Sequence, residues 1–218
     1  MDDRHKDGLK LEQHPPIKYN YLTWGPFCMG VKVNPTIVKR LLEEGKQELK
    51  SHNHELAGHL NYQYLYKHDT TKWFYKTTAG LWDYYAEQRC RYHGLNIDKK
   101  PRYGYSNLWV NFMKAGDFNP EHVHGGDISF VLFLDMPIEI VKEAESFEGT
   151  SPPPGSLVFT YGQKIREDWN TTSHAIIPKP GDMWIFPALQ HHSVMPFKSD
   201  VTRISVSGNL ASNIKYGN

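Results

Sequence analysis

Cysteine is scarce: Cys28 and Cys90 are the only two in 218 residues. Two thiols are too few for a disulfide framework and suit a reducing compartment. An excess of one charge is also missing, since 25 basic residues face 24 acidic ones. The balance gives no electrostatic reason to expect nucleic acid or an anionic membrane as the main partner, so any charged ligand must be recognised locally. Long hydrophobic runs are absent as well. No segment reaches membrane-spanning length, and the start "MDDRHKDGLKLEQ" lacks the apolar core of a signal peptide. These absences predict a cytoplasmic protein without a membrane partner, and they are compatible with a homo-oligomer. A chain of this length buries a core without metal or disulfide staples.

Aromatic residues (6 Trp, 13 Tyr, 10 Phe) and 12 histidines are plentiful. Histidines cost little on a surface, so their placement has to carry any argument for function. "YLTWGPFCMGVKV" reads as a strand, and "NPTIVKRLLEEGKQELKSH" as a helix capped by Asn34 with Pro35 in its first turn. From Asn53 to Gly94 the helical spacing continues. Trp73, Thr77, Leu81, Tyr84 and Tyr85 form a three-to-four-residue stripe, and Gly94 is the expected stop. After Tyr103 the texture changes to seven short strands: "SNLWVNFM", "DISFVLFLD", "GSLVFTYG", "TTSHAIIP", "GDMWIFPA", "HSVMPF" and "TRISVSGNL". So many short strands predict a sandwich or barrel. The expectation is one α+β domain over 1–218, with a mainly helical part (1–100) buttressing a sheet core (103–211).

The stretch "NPEHVHGGDISFVLFLD" sets His122 and His124 one residue apart, adds Asp127, and runs straight into an apolar strand. In extended chain, residues i and i+2 share a face, so two imidazoles project together as a natural metal bite. The spacing alone is unspecific, because "SHNHE" repeats it at His52 and His54, in a stretch that reads as solvated. Context sharpens the first pair. The apolar run Met183–Phe186 is followed by His191 and His192, and eleven residues beyond His192 comes "TRISVSGN". There Arg203, Ser205, Ser207 and Asn209 alternate with Ile204, Val206 and Leu210. The polar face is either half-exposed to water or lines a cavity, where an arginine fork binds a carboxylate and Ser205 adds a third hydrogen bond.

Taken in order, this proximal histidine motif, long insert, "HSVMPF" and Arg-x-Ser resemble the Fe(II)- and 2-oxoglutarate-dependent oxygenases over residues 103–211. The similarity is to the prolyl-hydroxylase-like branch and its bacterial and phage relatives. It implies a double-stranded β-helix holding iron, with His192 as the distal ligand, Arg203 on the far carboxylate of 2-oxoglutarate and Ser205 as its helper. The implied reaction consumes O2 and 2-oxoglutarate, releases succinate and CO2, and hydroxylates an unactivated C–H bond of an organic substrate. Asn111 and Trp109, on the strand before the metal motif, are further candidates to face the pocket. At the proximal motif the chain departs from the family, which has His-x-Asp or His-x-Glu. Strand geometry favours a site of His122, His124 and His192, while the Gly125–Gly126 turn keeps Asp127 an alternative ligand. The loop from Pro137 to Pro154 and "GQKIREDWN" read as lids.

Two other classes stand beside this one. A cupin-type metal protein fits Gly116 and His122-x-His124 as its first half and Gly181, Pro187 and His192 as its second. It lacks the glutamate expected after the histidine pair and has no use for Arg203 and Ser205. In a recognition protein without metal, the aromatic segment "KWFYKTTAGLWDYYAEQ" would be the interaction face, though burial against a sheet is the simpler reading of such a stripe.

Overall fold

Strand alternation decides the architecture. In the computed structural model, which describes residues 25–95, 101–162 and 172–213, strand β11 (Arg203–Ser212) turns Ile204, Val206 and Leu210 to one face and Arg203 and Ser205 to the other. Its antiparallel neighbours β4 (Tyr103–Met113) and β6 (Ile128–Asp135) divide in the same way. Leu108, Val110, Ile128, Phe130 and Leu132 join the first face, and Asn111, Met113 and Phe133 the second. With β1 (Met29–Lys32), β2 (Lys50–Ser51), β3 (Tyr62–Leu65) and β9 (Asp182–Pro187) they form a seven-stranded sheet in the order β1-β9-β6-β11-β4-β3-β2. A second sheet, β5-β10-β7-β8, is built from β5 (Asn119–His122), β7 (Leu157–Thr160), β8 (Ser173–Ile176) and β10 (His192–Val194). From β4 onward the chain shuttles between the two sheets, which is the double-stranded β-helix expected of an α+β fold with this strand pattern.

Two apolar layers result. Between the sheets, Met113, Phe133, Leu157, Phe159, Phe186 and Val194 pack together. On the outer face of the large sheet lie α1 (Pro35–Gly45), α2 (His68–Thr77) and α3 (Ala79–Tyr92), which contribute Leu41, Phe74, Tyr75, Trp82 and Tyr85. Asn34 caps α1 as expected, its Oδ1 accepting the Thr36 N–H at 2.9 Å. Gly94, at φ +67°, follows α3, with the Leu95 N–H returned to the Cys90 carbonyl at 2.8 Å. At Gly208 on β11 an added Cβ would lie 2.4 Å from the Tyr75 hydroxyl and 2.9 Å from the Phe130 ring. The helical layer therefore sits against bare backbone at that point. Cys28 and Cys90 are free thiols. No helix among the described residues is long and apolar enough to cross a membrane.

The amino-terminal part is less helical than its spacing suggests. Helix α1 stops at Gly45, and β2, a single 3-10 turn (Asn53–Glu55) and β3 fill the stretch before α2. "YQYL" is rich in aromatics, lies between Asn61 and α2, and pairs with β4, so tertiary pairing overrides a weak helical period. The buried stripe also differs: Thr77 is exposed and Tyr84 is 53% exposed, whereas Phe74, Tyr75, Trp82 and Tyr85 are buried. A break at Thr78, whose hydroxyl bonds back to the Phe74 carbonyl at 2.8 Å, shifts the helical phase. Helix α4 (Ile138–Glu145) occupies the segment expected to be a loop, with Ile140 and Ala144 buried. The lid expectation for "GQKIREDWN" falls on 163–170, outside the described residues. All seven strands read after Tyr103 are present, and among the described residues β5 is the additional one, concealed in the sequence by Pro120.

Phe130 is the hub of the outer layer, with ring centroids 5.5 Å from Phe74, 6.1 Å from Tyr75 and 5.3 Å from Trp82. Phe130→Ala is expected to lower stability by about 3–5 kcal/mol in urea unfolding, with Tyr84→Ala within about 0.5 kcal/mol of the unaltered chain. Equal small losses in both would show that the layer does not carry the fold.

Candidate active site

His122 ends β5 and His192 opens β10, and the two are paired residues in the antiparallel ladder. Their imidazole centroids are 4.3 Å apart. His124 lies just past β5, held by its backbone N–H on the Ala188 carbonyl at 2.8 Å, and its ring is 4.9 Å from His122 and 5.0 Å from His192. One ring nitrogen from each histidine falls within 4.8 Å of the other two. The intervening Val123 points away and is exposed.

Backbone carbonyls orient two of the rings. His122 Nδ1 lies 2.7 Å from the Pro120 carbonyl, and His192 Nδ1 lies 2.9 Å from the Gln190 carbonyl. A carbonyl oxygen only accepts, so each Nδ1 carries a proton and each Nε2 is the atom left to face a metal. Gln190 is itself buried and tied by its Nε2 to the Thr160 and His191 carbonyls at 2.8 and 2.7 Å. Burial, reinforced by the neighbouring His122, pushes His192 down to about 3 and His124 down to about 4. Three imidazole nitrogens converging, with no carboxylate among them in the described residues, suit a divalent transition metal such as Fe(II).

Asp127 lies apart from this group. Its backbone N–H donates to the Leu210 carbonyl and its carboxylate accepts the Ser212 N–H at 2.5 Å, tying the turn after His124 to the end of β11. Gly126, at φ +92°, makes that approach feasible, since a Cβ there would lie 2.8 Å from the Leu210 oxygen. His191 faces the opposite side of β10, 60% exposed and 3.3 Å from Glu121 Oε1. His52, read as solvated, is in fact buried, with its ring 6.0 Å from Trp109; His54 alone faces solvent.

Arg203 lines the same cavity as the three histidines. It is 2% exposed, its Nη1 donates to the Gly155 carbonyl at 2.9 Å, and its buried Nε has no partner among the described residues. Among the described residues no carboxylate pairs with it, and burial pulls its pKa down to about 10. An uncompensated buried cation is costly, and a cavity beside it is the natural place for an anion. Ser205 and Asn111 share the cavity and are buried; Asn111 Nδ2 reaches Ser205 Oγ at 3.4 Å. Val131, Leu157 and Val194 supply apolar wall. Trp109 also faces the cavity, its ring 6.1 Å from His124. Sequence reasoning missed Gln190 and Gln63. The first had a usable signal, two residues before His192 as Pro120 is before His122, whereas Gln63 lay in a stretch read as helix.

Replacing a ligand should cost more metal affinity than the roughly 10- to 100-fold typical of removing a ligand's supporting partner. His124→Ala and His192→Ala are expected to lose Fe(II), and Asp127→Asn and His191→Ala to retain it, measured by anaerobic metal titration. Retention in His124→Ala with loss in Asp127→Asn would make the carboxylate the third ligand.

No curated protein is a detectable relative by sequence. Residues 107–209 match the family described as "Putative 2OG-Fe(II) oxygenase". Solved structures of similar fold include the viral collagen prolyl hydroxylase of Paramecium Bursaria Chlorella virus-1, at 14% identity over 87% of this chain and 98% of that one, TM-score 0.50. A Pseudomonas putida prolyl-4-hydroxylase aligns at 16% identity over 84% and 91%, TM-score 0.52. A Trichoplax adhaerens prolyl hydroxylase aligns at 10% identity over 85% and 82%, TM-score 0.52. At such identities the structures speak for the double-stranded β-helix fold, and the family match covers the part of the chain from β4 to β11. The matched segment, 107–209, is the one that holds the three histidines and Arg203, and it is similar to the Fe(II)- and 2-oxoglutarate-dependent oxygenases.

Proposed function

We propose that the chain hydroxylates an unactivated C–H bond of an organic substrate, with His122, His124 and His192 holding Fe(II) and Arg203, Ser205 and Asn111 receiving 2-oxoglutarate. The observation that carries this reading is Arg203, a buried guanidinium without an acid partner among the described residues, in one cavity with three converging imidazoles. When bound, Fe(II) with 2-oxoglutarate and O2 supplies the oxidant: one oxygen atom enters the substrate as hydroxyl, the other enters succinate, and CO2 leaves.

The chain's own residues bind, orient and exclude water. The Pro120 and Gln190 carbonyls hold two imidazoles with Nε2 toward the centre. Arg203 offers a planar fork to the far carboxylate of the oxo acid, while the Gly155 carbonyl fixes the guanidinium from behind. Val131, Leu157 and Val194 keep that end of the cavity dry, which strengthens the ion pair. Holding the oxo acid at both ends makes its reaction effectively unimolecular. A cupin-type reading leaves the buried Arg203 without a task.

A charge-assisted fork in a partly dry pocket contributes about 1.5–3 kcal/mol, and truncating one partner strands the other. Arg203→Ala should therefore weaken 2-oxoglutarate by about ten- to a few hundred-fold while iron stays bound. Arg203→Lys should recover only part, because an ammonium lacks the planar fork. Absorbance of the anaerobic iron–oxo acid complex gives the affinity, and succinate release is the second readout. Unchanged affinity in Arg203→Ala would replace this reading with the cupin one.

A further inference from the structure

Gln63 stands on β3, away from the strands that carry the histidines and Arg203, yet its side chain is buried and lines the same cavity. Its Nε2 donates to Asn111 Oδ1 at 2.9 Å, and Asn111 Nδ2 in turn reaches Ser205 Oγ and Ser207 Oγ, both at 3.4 Å. Gln63 Oε1 is buried without a hydrogen-bond partner among the described residues. The groups form a chain with one direction. Every donor points toward β11, and the unfilled position is an acceptor at the far end.

That direction has chemical meaning. A serine hydroxyl has one proton and two lone pairs. With Asn111 Nδ2 on a lone pair of Ser205, the Ser205 proton stays free for an acceptor beside Arg203. In the reverse arrangement Gln63 Oε1 would accept from Asn111 Nδ2, and Asn111 Oδ1 would take the serine proton. Ser205 would then meet an anion with lone pairs alone. Reversal would also strand the Gln63 amide N–H groups, and an unfilled carbonyl is the milder fault. We propose that Gln63 is a positioning residue: through Asn111 it holds the Ser205 hydroxyl as a donor to the carboxylate that Arg203 binds. This rests on the reading of Arg203 and Ser205 as the oxo acid anchor and extends it to a residue on a strand outside the anchor. A carboxylate drawing on the Ser205 proton makes the Ser205 oxygen a better acceptor and tightens the 3.4 Å contact from Asn111.

The test is a double-mutant cycle on the full chain loaded with Mn(II), which binds without turnover, titrated calorimetrically with 2-oxoglutarate. Gln63→Met keeps length and removes both hydrogen-bonding atoms; it should weaken 2-oxoglutarate roughly 3- to 10-fold and leave Mn(II) affinity unchanged. In a Ser205→Ala background the same substitution should cost less than about twofold, because the hydroxyl it positions is gone. Gln63→Glu, similar in shape and the decisive variant should Gln63→Met fail to fold, should weaken binding more, since a carboxylate only accepts and forces the chain to reverse. The proposal is overturned if neither Gln63 variant weakens 2-oxoglutarate while Arg203→Ala does, or if the loss is undiminished in the Ser205→Ala background. Unweakened binding in Arg203→Ala would instead overturn the anchor itself.

Discussion

The two-sidedness of β11 is the constraint on which the rest depends. One face of the strand must be apolar enough to seat three helices, and the other must carry a guanidinium and a serine that water does not reach. Period-two alternation satisfies both demands in ten residues, and pairing with β4 and β6 extends each face sideways. The helices do more than cover a sheet. By taking up the hydrophobic side of β11, they leave its opposite side free to be polar.

The second sheet is small, yet it sets the chemistry. Pairing of His192 with His122 converts residues seventy apart in the chain into neighbours, and the backbone carbonyls two positions before each ring choose its tautomer. Ring orientation is thus written into main-chain geometry, with Gln190 as its side-chain support. The β5–β6 turn brings His124 in while Asp127 is spent on the end of β11.

Much of this was legible in the sequence where one residue pattern answers to one physical rule. Strands after Tyr103 announced themselves by alternation and turn residues, and the opposite orientations of His191 and His192 follow from a period of two. What escaped notice was set by partners distant in sequence. "YQYL" becomes β3 because β4 offers it an edge, and nothing local says so. The helical stripe slipped in phase because the break at Thr78 is marked only by Gly80, which itself lies inside α3, and a lone glycine in a helical pattern is not read as a stop. His52 reads as solvent-facing until the fold lays it beside Trp109. Gln63 had no signal at all, since a glutamine on a misread element carries no pattern.

The bare backbone at Gly208 has a mechanical consequence. A strand that slips by two residues keeps every side chain on its proper face, so alternation alone does not forbid such a slip. Here it is forbidden by shape. Moving β11 two positions either way would bring Val206 or Leu210 to the place where the Tyr75 hydroxyl and the Phe130 ring leave no room for a Cβ. The glycine works as a keyway and the tyrosine as its key, fixing the register of the strand that positions Arg203.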